Sequence, residues 1–143
     1  MKNFVLLALT FFLALISVAA PPEVSAPAVA ASDQLHQTET FALGGVGFAG
    51  TTSRGEIAFR TLQRDENSSA AFLALLDDET TTKAGQLYAL LGLKEAKSAQ
   101  FEARLPAFLA DESTVTQLRG CILMPVKVKE IAARFAENVA PRA

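Results

Sequence analysis

The first 37 residues constrain the fold most, because their composition predicts that they lie outside the core. The run 4–20 follows a single Lys2, and Thr10 and Ser17 are its only polar side chains. A positive charge before a short apolar run is the pattern of a secretory signal peptide. As a helix the run would span about 25 Å, less than the ~30 Å hydrocarbon core of a membrane. We therefore predict a signal peptide over 1–20 and an exported protein, periplasmic or secreted; an uncleaved anchor is the alternative.

Two places in this region carry the residues expected at positions −3 and −1 of a cleavage site: Ser17 with Ala19, and Val29 with Ala31. Proline follows Ala20 directly and disfavours cleavage there. We expect a cut after Ala19 or a little later.

The next segment, 21–37, is rich in Ala and Pro. Such a composition buries little apolar surface, and it predicts a disordered tether. What remains, 38–138, is long enough for one small domain and too short for two. We expect residues 139–143 to form a frayed tail.

Charge and cysteine content exclude several classes of protein. The formal net charge is −2, from 13 basic and 15 acidic side chains scattered along the chain. This balance gives no electrostatic footprint for nucleic acid, and a membrane partner is expected only if the signal is retained. Cys121 is the only cysteine, so no internal disulfide can form and stability must come from packing.

Capped apolar segments predict five helices. Ser53 and Glu56 have the spacing of a capping box, and Ser98 is a further N-cap candidate. Gly85 and Gly92 weaken their helix, so we expect them to permit close helix packing. The predicted helices cover about 54–64, 68–76, 83–96, 99–109 and 128–138.

The four central helices resemble two copies of one helical hairpin. Gly55-Glu56-Ile57 is similar to Gly85-Gln86-Leu87 at a separation of 30 residues, and the ends of the hairpins are similar at a separation of 33. The predicted fold class is therefore mainly α: a small bundle or short solenoid-like array of two helical hairpins plus a C-terminal helix. A short two-stranded β element, pairing about 41–48 with 114–124, is added because the second segment is β-branched and ends at Pro125.

A glycine-rich segment before the first predicted helix is the sharpest motif. Gly45, Gly47 and Gly50 match the G-x-G-x-x-G pattern of dinucleotide-binding folds, in which backbone N–H groups at a helix start hold a pyrophosphate. That site also needs a strand, a helix and a second parallel strand in succession, and the predicted helix leads into another helix instead. The acidic pair 65–66 falls near the position of a ribose ligand but lies at a helix end. We expect a glycine-rich turn or bulged strand, and no cofactor.

The sequence lacks the additional residues that a nucleophilic site or a metal site would need. A reactive Cys121 would need a base, and the only histidine, His36, lies in or next to the tether, so we predict a buried, inert cysteine. An intermolecular disulfide is an alternative. The acidic clusters 77–79 and 111–112 lack the spacing of a calcium loop and are interpreted as solvated helix ends.

The remaining candidate side chains have structural explanations. Glu56 is explained by its place in the capping box, and Tyr88 lies at a core position of its helix. We accordingly predict no catalytic, cofactor-binding or metal-binding residues.

Three hypotheses for function follow. The first is an exported, non-enzymatic module that binds another protein, one form of which would be an inhibitor or immunity-type protein. The second is an enzyme with a cryptic site at Cys121 or at a carboxylate. The third is a membrane-anchored structural component, if the signal is uncleaved. The oligomeric state is open.

Overall fold

The computed structural model describes Ala20 and residues 22–137. The predicted tail over 139–143 lies outside this range, as does the predicted signal peptide apart from Ala20. The described residues form six helices and four strands. In chain order these are α1 Ala26–His36, β1 Thr40–Val46, β2 Thr51–Thr52, α2 Arg54–Gln63, α3 Ser68–Asp77, α4 Lys83–Glu95, α5 Ala99–Leu109, β3 Thr114–Gly120, β4 Ile122–Lys127 and α6 Val128–Ala136.

The strands form one mixed sheet in the order β2-β1-β3-β4. The two central strands, β1 and β3, are parallel, with Thr40 opposite Thr116 and Phe41 opposite Gln117. Each of them pairs with its outer neighbour as an antiparallel hairpin. The chain between β1 and β3 holds β2 and four helices, so the parallel pair is closed by a long crossover connection.

The core lies between this sheet and α4. Nine of the residues of α4 are buried, and among them Tyr88 contacts the rings of Phe41 and Phe59. A helix that is apolar on nearly every side must be covered on every side. The other five helices and the two central strands of the sheet supply that cover.

The prediction of a mainly α fold is wrong, because the protein combines six helices with a four-stranded mixed sheet. The predicted helices are present, with α2 and α4 beginning at the expected residues. The error lies in β2, which the sequence does not predict, and in the segment 114–124, which is not one strand but holds β3 and the start of β4. Gly120 and Cys121 form a two-residue turn between β3 and β4, and Pro125 lies inside β4. Proline is tolerated there because β4 is an edge strand, whose outward N–H groups need no partner.

The structure also differs from the predicted tether over 21–37. Residues Ala26–His36 form α1, whose Ala28, Ala31 and Leu35 are buried and which packs chiefly against α2. The composition was misleading for a physical reason. Alanine is the best helix former, and a proline in the first helical turn loses no hydrogen bond.

Among the described residues, no helix combines the length and apolar character needed to span a bilayer.

Candidate functional site

Two hairpin loops lie side by side at one end of the sheet. The loop 47–50 joins β1 to β2, and the Gly120-Cys121 turn joins β3 to β4. The backbone N–H of Gly47 donates to the carbonyl oxygen of Gly120 at 2.8 Å. This bond ties the two loops together, so the side chains they carry share one surface.

The β3–β4 turn is fixed by glycine geometry. Gly120 has a φ of +57° at the first central position of a two-residue turn, as a type II′ hairpin requires. The turn sets the register in which Arg119 lies opposite Ile122 and Leu118 opposite Leu123. Cys121, the other central residue, is therefore held at the tip of the hairpin.

Three large apolar side chains are exposed at this end of the sheet. Phe48 is fully exposed at the tip of its loop, and Ile122 and Leu123 are 61% and 63% exposed. Ile122 and Leu123 are consecutive in β4, so their side chains point to opposite faces of the sheet and flank the hairpin tip. Single exposed apolar residues are common, whereas several at one end of a sheet mark a candidate contact surface. We call Phe48, Arg119, Cys121, Ile122 and Leu123 the hairpin-tip surface.

An open groove continues this surface along the face of the sheet turned away from α4 and α6. It has a volume of about 420 Å³, and Leu118 and Leu123 form its apolar side. Ser53 and Arg54, at the start of α2, line it opposite them. The groove gives the exposed leucine an apolar neighbourhood, and its lining includes one charge of each sign, Arg54 and Glu39.

Positive charge borders the surface on the side of α6. The guanidinium of Arg134 donates from Nη2 to Oε1 of Gln117 at 3.1 Å and from Nε to the carbonyl oxygen of Glu130. Partial burial and, next, the charge of Arg119 hold the pKa of Arg134 below its ordinary value. The positive charges of Arg119 and Arg134 therefore repel each other near Ile122. A negatively charged group nearby would reduce this repulsion.

Buried side chains hold the base of the β1–β2 hairpin. The carboxylate of Glu56 accepts from the N–H of Gly44 at 2.7 Å, at a point where β1 departs from regular pairing. Its other oxygen accepts from Arg60 at 3.3 Å. Ser53 caps α2 by accepting from the N–H of Glu56, as the capping-box spacing predicts. The sequence does not predict the contact of the Glu56 carboxylate with β1, because Gly44 lies outside the local spacing that defines a helix cap.

The G-x-G-x-x-G residues form a hairpin and not a phosphate loop. Gly45 pairs with Thr52 within the sheet, and Gly47 and Gly50 have φ values of +71° and +62° in the connecting loop. In a dinucleotide site the glycines turn directly from a strand into a helix. Here β2 intervenes, and the next element parallel to β1 follows four helices later. The expected turn and bulged strand are what the structure has.

The prediction that Cys121 is buried is wrong, since the thiol is exposed. The sequence predicts burial because no base accompanies Cys121 and a free cysteine is usually buried, whereas the turn at Gly120 places it at the end of the sheet. His36 lies before the start of β1, whereas Cys121 lies beside its end, about 20 Å away along seven residues of strand. Nε2 of His36 instead contacts Thr80 at 2.8 Å and Asp78 at 3.2 Å.

Carboxylates of both acidic clusters pair with basic side chains or accept hydrogen bonds from a neighbouring residue. Asp77 pairs with Arg104 at 2.6 Å, and Asp111 pairs with Lys83 at 2.7 Å. The Oγ1 and N–H of Thr80 both donate to Asp78 and hold the pKa of that carboxyl below its ordinary value. Within residues 22–137 no three His, Cys, Asp or Glu side chains are grouped so as to bind a metal ion.

The chain matches no protein-family model, no curated protein and no solved structure.

Proposed function

We propose that this chain is an exported module that binds another protein through the hairpin-tip surface and has no catalytic machinery of its own. The observation that carries the proposal is the full exposure of Phe48 at the same end of the sheet as the exposed Ile122 and Leu123. Export is proposed from the apolar N-terminal run and the lysine before it.

The energetics of Phe48 favour a binding role. A buried phenylalanine side chain contributes about 1.5–3 kcal/mol relative to an exposed one. The fold does not use this contribution, because the ring contacts no core residue and lies at a loop tip. Burial of such an aromatic anchor in a partner's pocket is the usual source of interface energy. The bond between Gly47 and Gly120 and the contact of Glu56 with Gly44 restrain the hairpin before binding, which lowers the entropy cost of association.

The charges indicate the chemistry of the partner. Arg119 lies directly opposite Ile122, and its charge acts on Arg134 of α6. The groove on the other face is lined by one charge of each sign, Arg54 and Glu39. We propose a folded protein that offers an apolar pocket for Phe48 with carboxylates on its rim. Complementary charges at a rim raise the association rate and select the partner more than they raise affinity.

The geometry gives less support to an enzyme. The thiol of Cys121 has no base beside it among the described side chains, and Glu56 is committed to Gly44 and Arg60. A membrane-anchored component remains the prediction for a chain whose N-terminal run is retained.

Site-specific photocrosslinking tests the proposal. A benzoylphenylalanine residue replaces Phe48 in one variant and Ile57 in a control, since Ile57 is 54% exposed on α2 but lies outside the hairpin-tip surface. In cells that make the protein naturally, we expect a covalent adduct with a second protein from position 48 and none from position 57.

Direct titration with the purified partner completes the test. Phe48→Ser should weaken binding at least about tenfold, which corresponds to ~1.4 kcal/mol, and Ile57→Ser should leave it unchanged. Arg119→Glu should slow association at low salt. The proposal fails if position 48 gives no adduct, if both positions give the same adducts, or if the adduct is only a second copy of this chain.

A further inference from the structure

The N-terminal segment is anchored to the folded body well before α1 begins. The Nδ2 group of Asn67 donates to the carbonyl oxygen of Glu23 at 2.7 Å. The carboxylate of Asp65 accepts from both the N–H of Ser25 at 3.1 Å and its hydroxyl at 2.6 Å. The bonds to Ser25 hold the pKa of Asp65 below its ordinary value. The folded domain therefore starts near Glu23.

α1 is part of the core along its whole length. Ala28, Ala31 and Leu35 form its buried face. At its C-terminal end the carbonyl oxygen of His36 accepts from the N–H of Thr82 at 3.1 Å, which joins α1 to the start of α4. A chain that lacks the first half of α1 would expose to solvent the surfaces of α2 and α4 that this helix covers.

From these contacts we infer that the signal peptide is removed upstream of Glu23, where the sequence offers the bond between Ala19 and Ala20, and that the second candidate bond, between Ala31 and Ser32, is not a processing site. This inference rests on the export part of the proposed function. In the reaction, a signal peptidase catalyses the addition of water to the Ala19 carbonyl. The peptide C–N bond breaks, leaving a carboxylate on Ala19 and a new α-amino group on Ala20.

Two physical reasons exclude the second bond. Cleavage after Ala31 during export would remove Glu23, Ser25, Ala28 and Ala31, and with them both anchors and most of the buried face of α1. Five residues of α1 would remain, fewer than an isolated helix needs to be stable. After folding, the bond lies within a helix, where a protease cannot bind the chain in extended form. Cleavage after Ala19 leaves every contact described above intact.

Mass spectrometry and N-terminal sequencing of the protein exported from a bacterial host test the inference. We expect a chain that begins at Ala20. A chain that begins at Ser32 would overturn the inference while leaving export intact. Full-length protein that stays in the cytoplasm would overturn both the inference and the export part of the proposed function. An Ala19→Asp variant should accumulate as the uncleaved precursor, and diversion of its cleavage to Ala31 would overturn the inference.

Two shortened chains give an independent measurement. One begins at Ala20 and the other at Ser32, each made in the cytoplasm after an initiating Met. We expect the Ser32 chain to be unfolded at 25 °C or to melt at least about 10 °C below the Ala20 chain. Equal melting temperatures would show that α1 is dispensable and would overturn the inference.

Discussion

The hydroxyl group of Tyr88 is hydrogen-bonded to both backbone groups of Ala42: it donates to the carbonyl oxygen at 2.6 Å and accepts from the N–H at 3.0 Å. Ala42 lies in β1 at a level where β2 does not reach, because β2 pairs only with Gly45 and Val46. The tyrosine on α4 therefore takes the place that a neighbouring strand would occupy. This contact fixes the sheet to the central helix.

We predict that Tyr88→Phe destabilises the protein while leaving the core packed. The variant removes only the hydroxyl group and leaves a buried N–H and C=O without their partner, which costs about 1–3 kcal/mol for each unsatisfied group. Urea unfolding measures the change. Thr61→Val is a matched control, because it removes a hydroxyl that bonds to the Ile57 carbonyl on an exposed helix surface. Equal stability of Tyr88→Phe and wild type would show that the contact contributes nothing.

A second prediction concerns the close approach of α1 and α4. A Cβ atom at Gly85 would overlap the carbonyl oxygen of Leu35. Gly85→Ala gains up to about 1 kcal/mol of helix propensity, but relief of the overlap must move backbone, at a typical cost of ~1–3 kcal/mol. We expect a net loss of stability in thermal unfolding. Gln86→Ala, one position along α4, should not show this loss, and a more stable Gly85→Ala would mean that the helices are not in close contact.

Acid pH should weaken the junction of β3, β4 and α6. Glu112 bonds to Lys127 and Lys129, and these contacts lower its pKa from 4.5 to about 2. The unfolded chain therefore binds a proton at higher pH than the folded one. The stabilisation is fully present above about pH 4.5 and is lost as the pH falls towards about 2.

NMR titration of the Glu112 carboxyl gives this pKa directly. Glu112→Gln should lose less stability than wild type between about pH 5 and about pH 3. The difference should shrink in ~1 M salt, because the group is exposed and its charge is screened. A pKa near 4.5 in the folded protein would contradict the prediction.

The thiol of Cys121 should react readily in the native protein. It is exposed in the turn between β3 and β4, so a small thiol reagent needs no unfolding to reach it. We expect similar labelling rates with and without denaturant. Cys121→Ser should change the free energy of unfolding by no more than about 0.5 kcal/mol. Labelling that requires denaturant would show that the turn is covered in solution.

The sequence predicts only some of the residues of the hairpin-tip surface. Cys121 and the glycines around Phe48 stand out in the printed chain, but nothing local brings positions 48 and 122 together. Their proximity depends on the parallel pairing of β1 with β3, whose partners Val46 and Gly120 are distant in sequence. The exposure of Phe48 was also unforeseeable, since a phenylalanine is buried by default.

The helix starts at Ser53, Thr82 and Ser98 follow from local sequence alone. Each of these side chains accepts a hydrogen bond from an N–H two or three residues later, so the information is local. The four-stranded sheet and the position of α1 depend instead on contacts between distant segments. Strand pairing joins segments far apart in the chain, and α1 is weakly amphipathic, with only small side chains and one leucine on its buried face. Its stability comes from packing on α2 and α4, because a helix of this length is marginal by itself.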